Sequence, residues 1–368
     1  MKKLLTAITV FYFVFAVSAT LLARDPVLDL LLKKNILTED EVASAEKAVK
    51  KPVTHKSESI EISGYIQPRF SAYDDDAGKN DQFSVKRARA KLKGYVASDW
   101  MFEMEYDFAA PKLIVANITF EAHPLANITM GQFKIPYAYA EIISSSKIDT
   151  IDRATVVGKL ASDYDIGATL SGKVMDGLFQ YDLAIINGAG MNVADDNDKK
   201  DYVARLAAYP FRGSEGKLAL MLAGAYWTGE QPNIVTSTDP ITGEEVEEDL
   251  GDQSRDRYIG TVEVKYDKAK IIAEYLHQEL EDTDKTSDGY YILATYDIPF
   301  GKSIFQPVIM YDQYDPNNDK DDDEIKTTTL GFNFFPVKNV KLSVNYKSID
   351  ETPDKDNNEI LAQGTIIF

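Results

Sequence analysis

From Ile60 to the terminal Phe368 the chain repeats one pattern, short segments in which apolar and polar residues alternate with a period of two. "WMFEMEYDF" sets Trp100, Phe102, Met104, Tyr106 and Phe108 against Met101, Glu103, Glu105 and Asp107. "FQYDLAI" puts Phe179, Tyr181, Leu183 and Ile185 on one face, and "VKLSVNYKS" sets Val340, Leu342, Val344 and Tyr346 against Lys341, Ser343, Asn345 and Lys347. Because successive strand side chains point to opposite faces, each segment reads as a strand with one greasy and one wet side. About sixteen such segments occur, most near the 9–11 residues that cross an outer membrane at a tilt.

The connections alternate as well. Tight turns at 97–99, 123–126, 175–177, 267–270 and 336–339 are interleaved with longer, often acidic stretches such as "YDDDAGKND", Pro136 to Asp163, "GAGMNVADDNDKKD", Thr228 to Asp256 and "DPNNDKDDDE". Short turns on one rim and long loops on the other are what an up-and-down barrel in a bilayer requires, and a closed barrel leaves no backbone edge facing lipid. The expected fold is therefore all-β, a transmembrane antiparallel barrel of about 16 strands over 60–368, preceded by a short N-terminal helical segment. A secreted β-sandwich or solenoid is the competing architecture. Heat-modifiable gel mobility in detergent separates it from a barrel.

The N-terminus fits export. "MKKLLTAITVFYFVFAVSATLLA" has Lys2 and Lys3, an apolar run and then small residues, the layout of a signal peptide over 1–23 with cleavage after Ala19 or Ala23. Residues 24–59 follow as a periplasmic helical segment and linker, in which Thr38 and Glu41 form a capping box. The formal net charge of −19 argues against a nucleic-acid partner. Cysteine is absent and the three histidines, His55, His123 and His277, are dispersed, so thiolate chemistry and histidine metal pairs are excluded. Asp315, Asn317 and Asp319 have calcium-loop spacing, but Lys320 stands where glycine belongs and Lys326 where the bidentate glutamate belongs, so the loop reads as solvated. No nucleophile–base spacing, phosphate loop or dinucleotide fingerprint is present; no enzyme, cofactor or metal is expected.

"FSVKRARAKLKG" carries most of the functional signal. Arg87, Arg89, Lys91 and Lys93 alternate with Ala88, Ala90 and Leu92. Facing lipid at mid-membrane, each cation would cost about 2–4 kcal/mol, so the stripe belongs in the lumen. With a tight turn centred on Ser98, Lys93 should lie opposite Glu103, Lys91 opposite Glu105 and Arg89 opposite Asp107. Two readings stay open: a cationic track for anions, extended by Arg69 and Arg205, or a wall of neutralising ion pairs that stiffens the barrel.

The phrases "GYIQPRF" (64–70), "FSVKRARAKLKG" (83–94), "DWMFEMEYDF" (99–108), "GQFKIPY" (131–137), "DIGATLSGKV" (165–174), "NDKKDYVARL" (197–206) and "VKLSVNY" (340–346) resemble the phosphate-selective porin family named for porins O and P. The resemblance implies an outer-membrane diffusion channel, usually a homotrimer, whose third loop folds inward and narrows the pore. Here that loop is Pro136 to Asp163. It brings Ser144, Ser145, Ser146, Lys147 and Arg153 as oxyanion donors, with Lys134 at its base. Small anionic solutes such as phosphate, outer-membrane lipid and, through Phe368, the barrel assembly machinery are the implied partners. Tyr164 departs from the arginine that relatives tend to carry at this place, which leaves a general or cation-tolerant pore as the alternative, beside a barrel-borne adhesin or hydrolase.

Overall fold

The computed structural model describes residues 59–368 except 75–76, 196, 214–216, 239–244, 282–284, 354 and 356, and of 232–238 and 245–250 the backbone. The signal peptide and the helical segment read from residues 1–58 lie outside the described residues.

The strands are β1 (Ser59–Tyr73), β2 (Gln82–Ala97), β3 (Trp100–Asp107), β4 (Lys112–His123), β5 (Ala126–Lys134), β6 (Tyr164–Val174), β7 (Phe179–Ile186), β8 (Asp201–Arg212), β9 (Ala219–Thr238), β10 (Glu245–Tyr266), β11 (Ala269–Leu280), β12 (Lys285–Tyr296), β13 (Ile298–Phe300), β14 (Ser303–Asp315), β15 (Ile325–Val337), β16 (Val340–Asp350) and β17 (Glu359–Ile367). β12 and β13 both pair with β14 and make one crossing interrupted at Asp297, so the wall is a closed antiparallel barrel of 16 crossings. Closure is made by β17 against β1, with Ile367 opposite Tyr65 and Glu359 opposite Tyr73. The last residue completes the seam: Gly64 N–H donates to Phe368 O at 2.8 Å and Phe368 N–H donates to Gly64 O at 3.0 Å.

The exposure pattern is inverted relative to a water-soluble protein. Met104, Ile118, Leu222, Ile292, Ile309 and Leu330 are exposed on the outside, whereas Gln67, Asp107, Thr329, Asn333, Asn345 and Thr365 are buried inside. An apolar belt of this extent needs a hydrocarbon neighbour. Substituting Leu330, midway along β15, by arginine is therefore expected to lower stability by about 2–4 kcal/mol, read as a shift of the urea midpoint of folding into lipid vesicles.

Three features depart from the expected pattern. Thr228 to Asp256 is not a loop: β9 and β10 continue as a paired ribbon through this stretch, 20 and 22 residues long. Strands of that length outrun the bilayer, so their outer parts have no lipid to face and lose the alternation that marks a crossing. The phase of β2 also changes. Phe83 is 86% exposed and its ring lies 4.9 Å from outward-facing Phe70, yet Arg87 has the same parity and faces the lumen. Lys86 consequently stands within electrostatic reach of Asp152, Arg69 and Arg87.

The third departure is inside. The lumen face of β7 to β14 carries an apolar patch, with Ile186, Val203, Trp227, Ile272, Leu293 and Met310 all buried in one cluster. This is the seat of the segment between β5 and β6, which folds into the barrel as two short helices, α1 (Tyr139–Ile142) and α2 (Thr155–Leu160). Val156, Val157 and Leu160 of α2 fill the seat beside Tyr137 and Ala140. The polar wall fixes the far arm by its backbone: Lys341 Nζ donates to Ile148 O at 2.7 Å, Asn333 Nδ2 to Asp149 O at 2.7 Å, and Ile151 N–H to Asn345 Oδ1 at 2.6 Å. Thr155 N–H, at the start of α2, donates to Asp312 Oδ1 at 2.9 Å.

Candidate functional site

The tight turn at Ser98 and Asp99 fixes the register of β2 on β3. Arg89 lies opposite Asp107, Lys91 opposite Glu105 and Lys93 opposite Glu103. The ion pairs themselves are slightly offset. Arg89 Nε reaches Asp107 Oδ2 at 2.9 Å and its Nη1 reaches Glu105 Oε1 at 3.3 Å, while Lys91 Nζ reaches diagonally to Glu103 Oε1 at 2.6 Å. Lys93 makes no ion pair among the described residues. The stripe is thus a neutralised wall at its Arg89 end and an open cation at its Lys93 end.

Arg87 goes elsewhere. It lines a cavity of about 370 Å³ between the folded-in segment and the wall, together with Arg153, Lys159 and Lys347 and the carboxyl groups of Asp152 and Glu141. Ile148, Ile151, Ala154, Thr155 and Gly158 complete the lining. Of these side chains Arg87 and Arg153 were read from the sequence. Lys347 was placed on the polar face of its strand but not singled out, and Lys159 gave no signal because it rides on a short helix inside a loop.

The two carboxyl groups in this cavity are muted. Arg69 clamps Asp152 by two bonds, Nη2 to Oδ1 at 2.9 Å and Nη1 to Oδ2 at 3.2 Å. Burial would raise the Asp152 carboxyl, but the Arg69 guanidinium outweighs it and holds the group ionised below its usual range. Glu141 is pushed the other way. Burial, then its contact with the Asp163 carboxyl, keep Glu141 protonated well above the usual carboxylate range, although Arg153 Nε lies 2.9 Å from its Oε2. Asp163, accepting from Glu141 and facing Arg153 and Lys134, stays on the low side. The cavity therefore presents four cations against one ionised carboxylate at neutral pH.

Several expected anion donors have other tasks. Arg69 is 5% exposed and is committed to Asp152 and Gln363. Arg205 is buried beside Asp182, 3.5 Å away, and Met221. Lys134, at the base of the folded-in segment, donates to the carbonyls of Glu141, Ile142 and Ile143 at the end of α1; an ammonium there satisfies carbonyls that the helix leaves open. Ser145 and Ser146 are buried, the Ser144 and Ser146 hydroxyls are 3.0 Å apart, and Ser145 O accepts from Gln67, so the serine run is a packed turn; Lys147 is exposed. In the acidic loop, Asp315 Oδ1 accepts from Asn317 N–H at 2.9 Å.

A second cationic group sits on the opposite wall, on β10 at the end of the stretch read from the sequence as loop, with Arg255 inside that stretch and Arg257 just beyond it. Arg255 and Arg257 lie over the ring of Trp227, with guanidinium carbons 4.9 and 4.8 Å from it. Asp201 accepts from Arg255 Nη2 at 2.8 Å and from Trp227 Nε1 at 2.7 Å, and Gln278 accepts from Arg257 Nε at 2.7 Å. Among the described residues Arg255 Nε, Arg257 Nη1 and the Tyr137 hydroxyl have no hydrogen-bond partner. Arg255 thus has the Asp201 carboxylate, while Arg257 is buried with only the neutral amide of Gln278 as its bonded partner. The alternation Gln253, Arg255, Arg257 was the available signal.

Comparison with known proteins agrees with this architecture. An uncharacterized protein of Aquifex aeolicus (strain VF5) is 26% identical over 88% of this chain and 89% of its own length. The trimer form of in-vitro folded OmpT, an outer membrane protein of Vibrio cholerae, superposes with a TM-score of 0.60 at 13% identity, covering 85% of this chain and all 100% of that one. An anion-selective porin from Comamonas acidovorans gives a TM-score of 0.60 at 12% identity with the same coverage of 85% and 100%. The model of the family "phosphate-selective porin O and P" matches residues 64–367. Porins are channels rather than enzymes, and the greasy outer belt, the folded-in segment and the match over nearly the whole barrel agree: the chain belongs to the phosphate-selective porin O and P family and is a channel of the outer membrane.

Proposed function

We propose that the channel passes small anions, phosphate among them, through the slot between the folded-in segment and the wall of β1, β2 and β16. The observation that carries this reading is the company around the cavity, Arg87, Arg153, Lys159 and Lys347, in a chain whose net charge is −19. Arg255 and Arg257 support it from the other wall, since a buried guanidinium such as Arg257, bonded to a neutral amide and to no carboxylate among the described residues, favours an anion nearby. The family's description adds phosphate as the anion to try first. Passage needs weak binding at several points, which separated cations supply better than a single closed site.

Planar-bilayer recording in a potassium chloride gradient tests the reading. Anion preference is expected, with chloride current falling as millimolar phosphate is added. Cation preference overturns it, and anion preference with no effect of phosphate reduces it to a general anion pore. The alkaline side supplies a further prediction. A raised carboxyl is neutral in the folded protein at neutral pH and becomes charged as pH rises, so Glu141 adds a negative charge beside Arg153. Anion preference is expected to decline from pH 7 to 10, and the decline to be smaller in Glu141→Gln, measured as reversal potential against pH.

By the same reading the mature chain starts after Ala19 or Ala23, carries a periplasmic segment to residue 59, assembles as a homotrimer in outer-membrane lipid, and is recognised for insertion through Phe368. The trimer form of the Vibrio OmpT structure supports the assembly.

A further inference from the structure

The seat of α1 holds a carboxylate that the permeation path does not use. Glu274 of β11 is 1% exposed, points into the lumen and makes no ion pair among the described residues. Its cross-strand neighbours are Thr261 on β10 and Tyr291 on β12. Both donate to it, Thr261 Oγ1 to Oε1 at 2.9 Å and Tyr291 Oη to Oε2 at 2.8 Å. The other two donors come from the folded-in segment: Tyr139 N–H to Oε1 at 2.8 Å and Ala140 N–H to Oε2 at 2.9 Å. These are among the amide groups that the start of α1 leaves without an intrahelical acceptor. Around them the lining is apolar, with Ile259, Ile272, Leu276 and Leu293 in the same cluster. A carboxylate in such a place is tolerable only with its oxygens fully bonded, and here four donors do this.

The consequence reaches the slot by a short chain of bonds. Ala140 donates its N–H to Glu274, and its carbonyl accepts from Arg153 Nε at 2.9 Å. Glu141, the next residue, lies 2.9 Å from that same Nε. One residue, Ala140, thus joins the β11 wall to Arg153, and the next, Glu141, lines the cavity beside it.

We infer that Glu274 is a positioning residue that sets the aperture, holding α1 against the wall and thereby fixing Arg153 and Glu141 at the rim of the slot. It touches no permeant solute. The near arm has other anchors, Lys134 Nζ on the carbonyls that end α1 and the Tyr139 hydroxyl, which donates to Glu263 Oε2 at 3.0 Å, and further bonds hold the far arm between Ile148 and Thr155; Glu274 takes the two successive amide groups at the start of α1. The inference stands whether the pore prefers anions or cations, because its readout is size.

Purified Glu274→Ala, refolded into lipid and checked for heat-modifiable mobility, is compared with the parent by liposome swelling in uncharged saccharides of increasing size and by unit conductance. A larger saccharide cut-off and a unit conductance raised about twofold or more are expected. A folded Glu274→Ala channel with unchanged cut-off and conductance overturns the inference. Where Glu274→Ala does not fold, the isosteric Glu274→Gln decides: its oxygen accepts one of the two amide groups and its NH2 faces the other. A raised cut-off or conductance supports the positioning role, and parental values for both overturn it. Selectivity measured in the same preparations keeps the two proposals apart, since cation preference in the parent removes the anion reading and leaves the aperture result standing.

Discussion

Replacing Arg87 and Lys347 together by glutamate is expected to turn anion preference into cation preference. Both side chains line the cavity, one from β2 and one from β16, so the double change replaces cations on two sides of the slot without touching the folded-in segment. A unit charge about 4 Å from a passing ion contributes about 1 kcal/mol even at the dielectric of water. Reversing two of them therefore moves the ratio of anion to cation permeability by at least about tenfold at moderate salt, and by less at high salt, where screening shortens the reach of each charge. The measurement is the reversal potential in a potassium chloride gradient. Lys347 also pairs with Glu359 at 2.9 Å, so Lys347→Gln is the companion that removes the charge with less disturbance. A double variant that keeps its anion preference would show that selectivity is set elsewhere on the wall, with Arg255 and Arg257 the next residues to change.

A large structural effect is expected from Gly64, beside the closure of the ring. A β-carbon there would stand 2.3 Å from the carbonyl oxygen of Arg89 and 2.7 Å from the Phe368 ring. The first of these is backbone of β2 and has nowhere to go, so β1 and β2 must part for any side chain to fit. Parting exposes unpaired strand edges in lipid, the condition a barrel exists to avoid. Gly64→Val is expected to abolish the heat-modifiable form, and Gly64→Ala to deplete it strongly. Gly260, on β10, is the control: a β-carbon there meets nothing within 4 Å, and Gly260→Ala should fold as the parent does.

The fold was legible because lipid outside imposes a strict rule on parity. Lys93 opposite Glu103 and Arg89 opposite Asp107 followed from alternation and one tight turn, since a slip by a single residue would put every cation of β2 into hydrocarbon. Parity failed where a different neighbour replaced lipid or water. Phe83 and Arg87 share a parity but not a face, because the phase changes at Lys86. Ile186, Val203 and Trp227 are apolar on the inner side because α2 rests on them, and nothing local to those strands announces a helix delivered from elsewhere in the chain. The ribbon of β9 and β10 looked like a loop because strands that outrun the bilayer have no lipid to impose alternation on their outer parts. The site was less legible for a related reason. Arg69, Lys134 and Arg205 have the right charge and lie in the right compartment, but whether a cation greets a solute or grips a carbonyl depends on the path of a folded-in segment that residue spacing does not encode.

The dry interior of the β7 to β14 wall has an effect on how the molecule divides its labour. On the proposed reading, the packed side chains keep traffic to the flank beside the strands that close the ring. The apolar seat then acts as a buttress, so changes to its buried side chains should alter rigidity and bore far more than ionic preference. Bore and charge can then be adjusted through separate sets of side chains in a single cylinder.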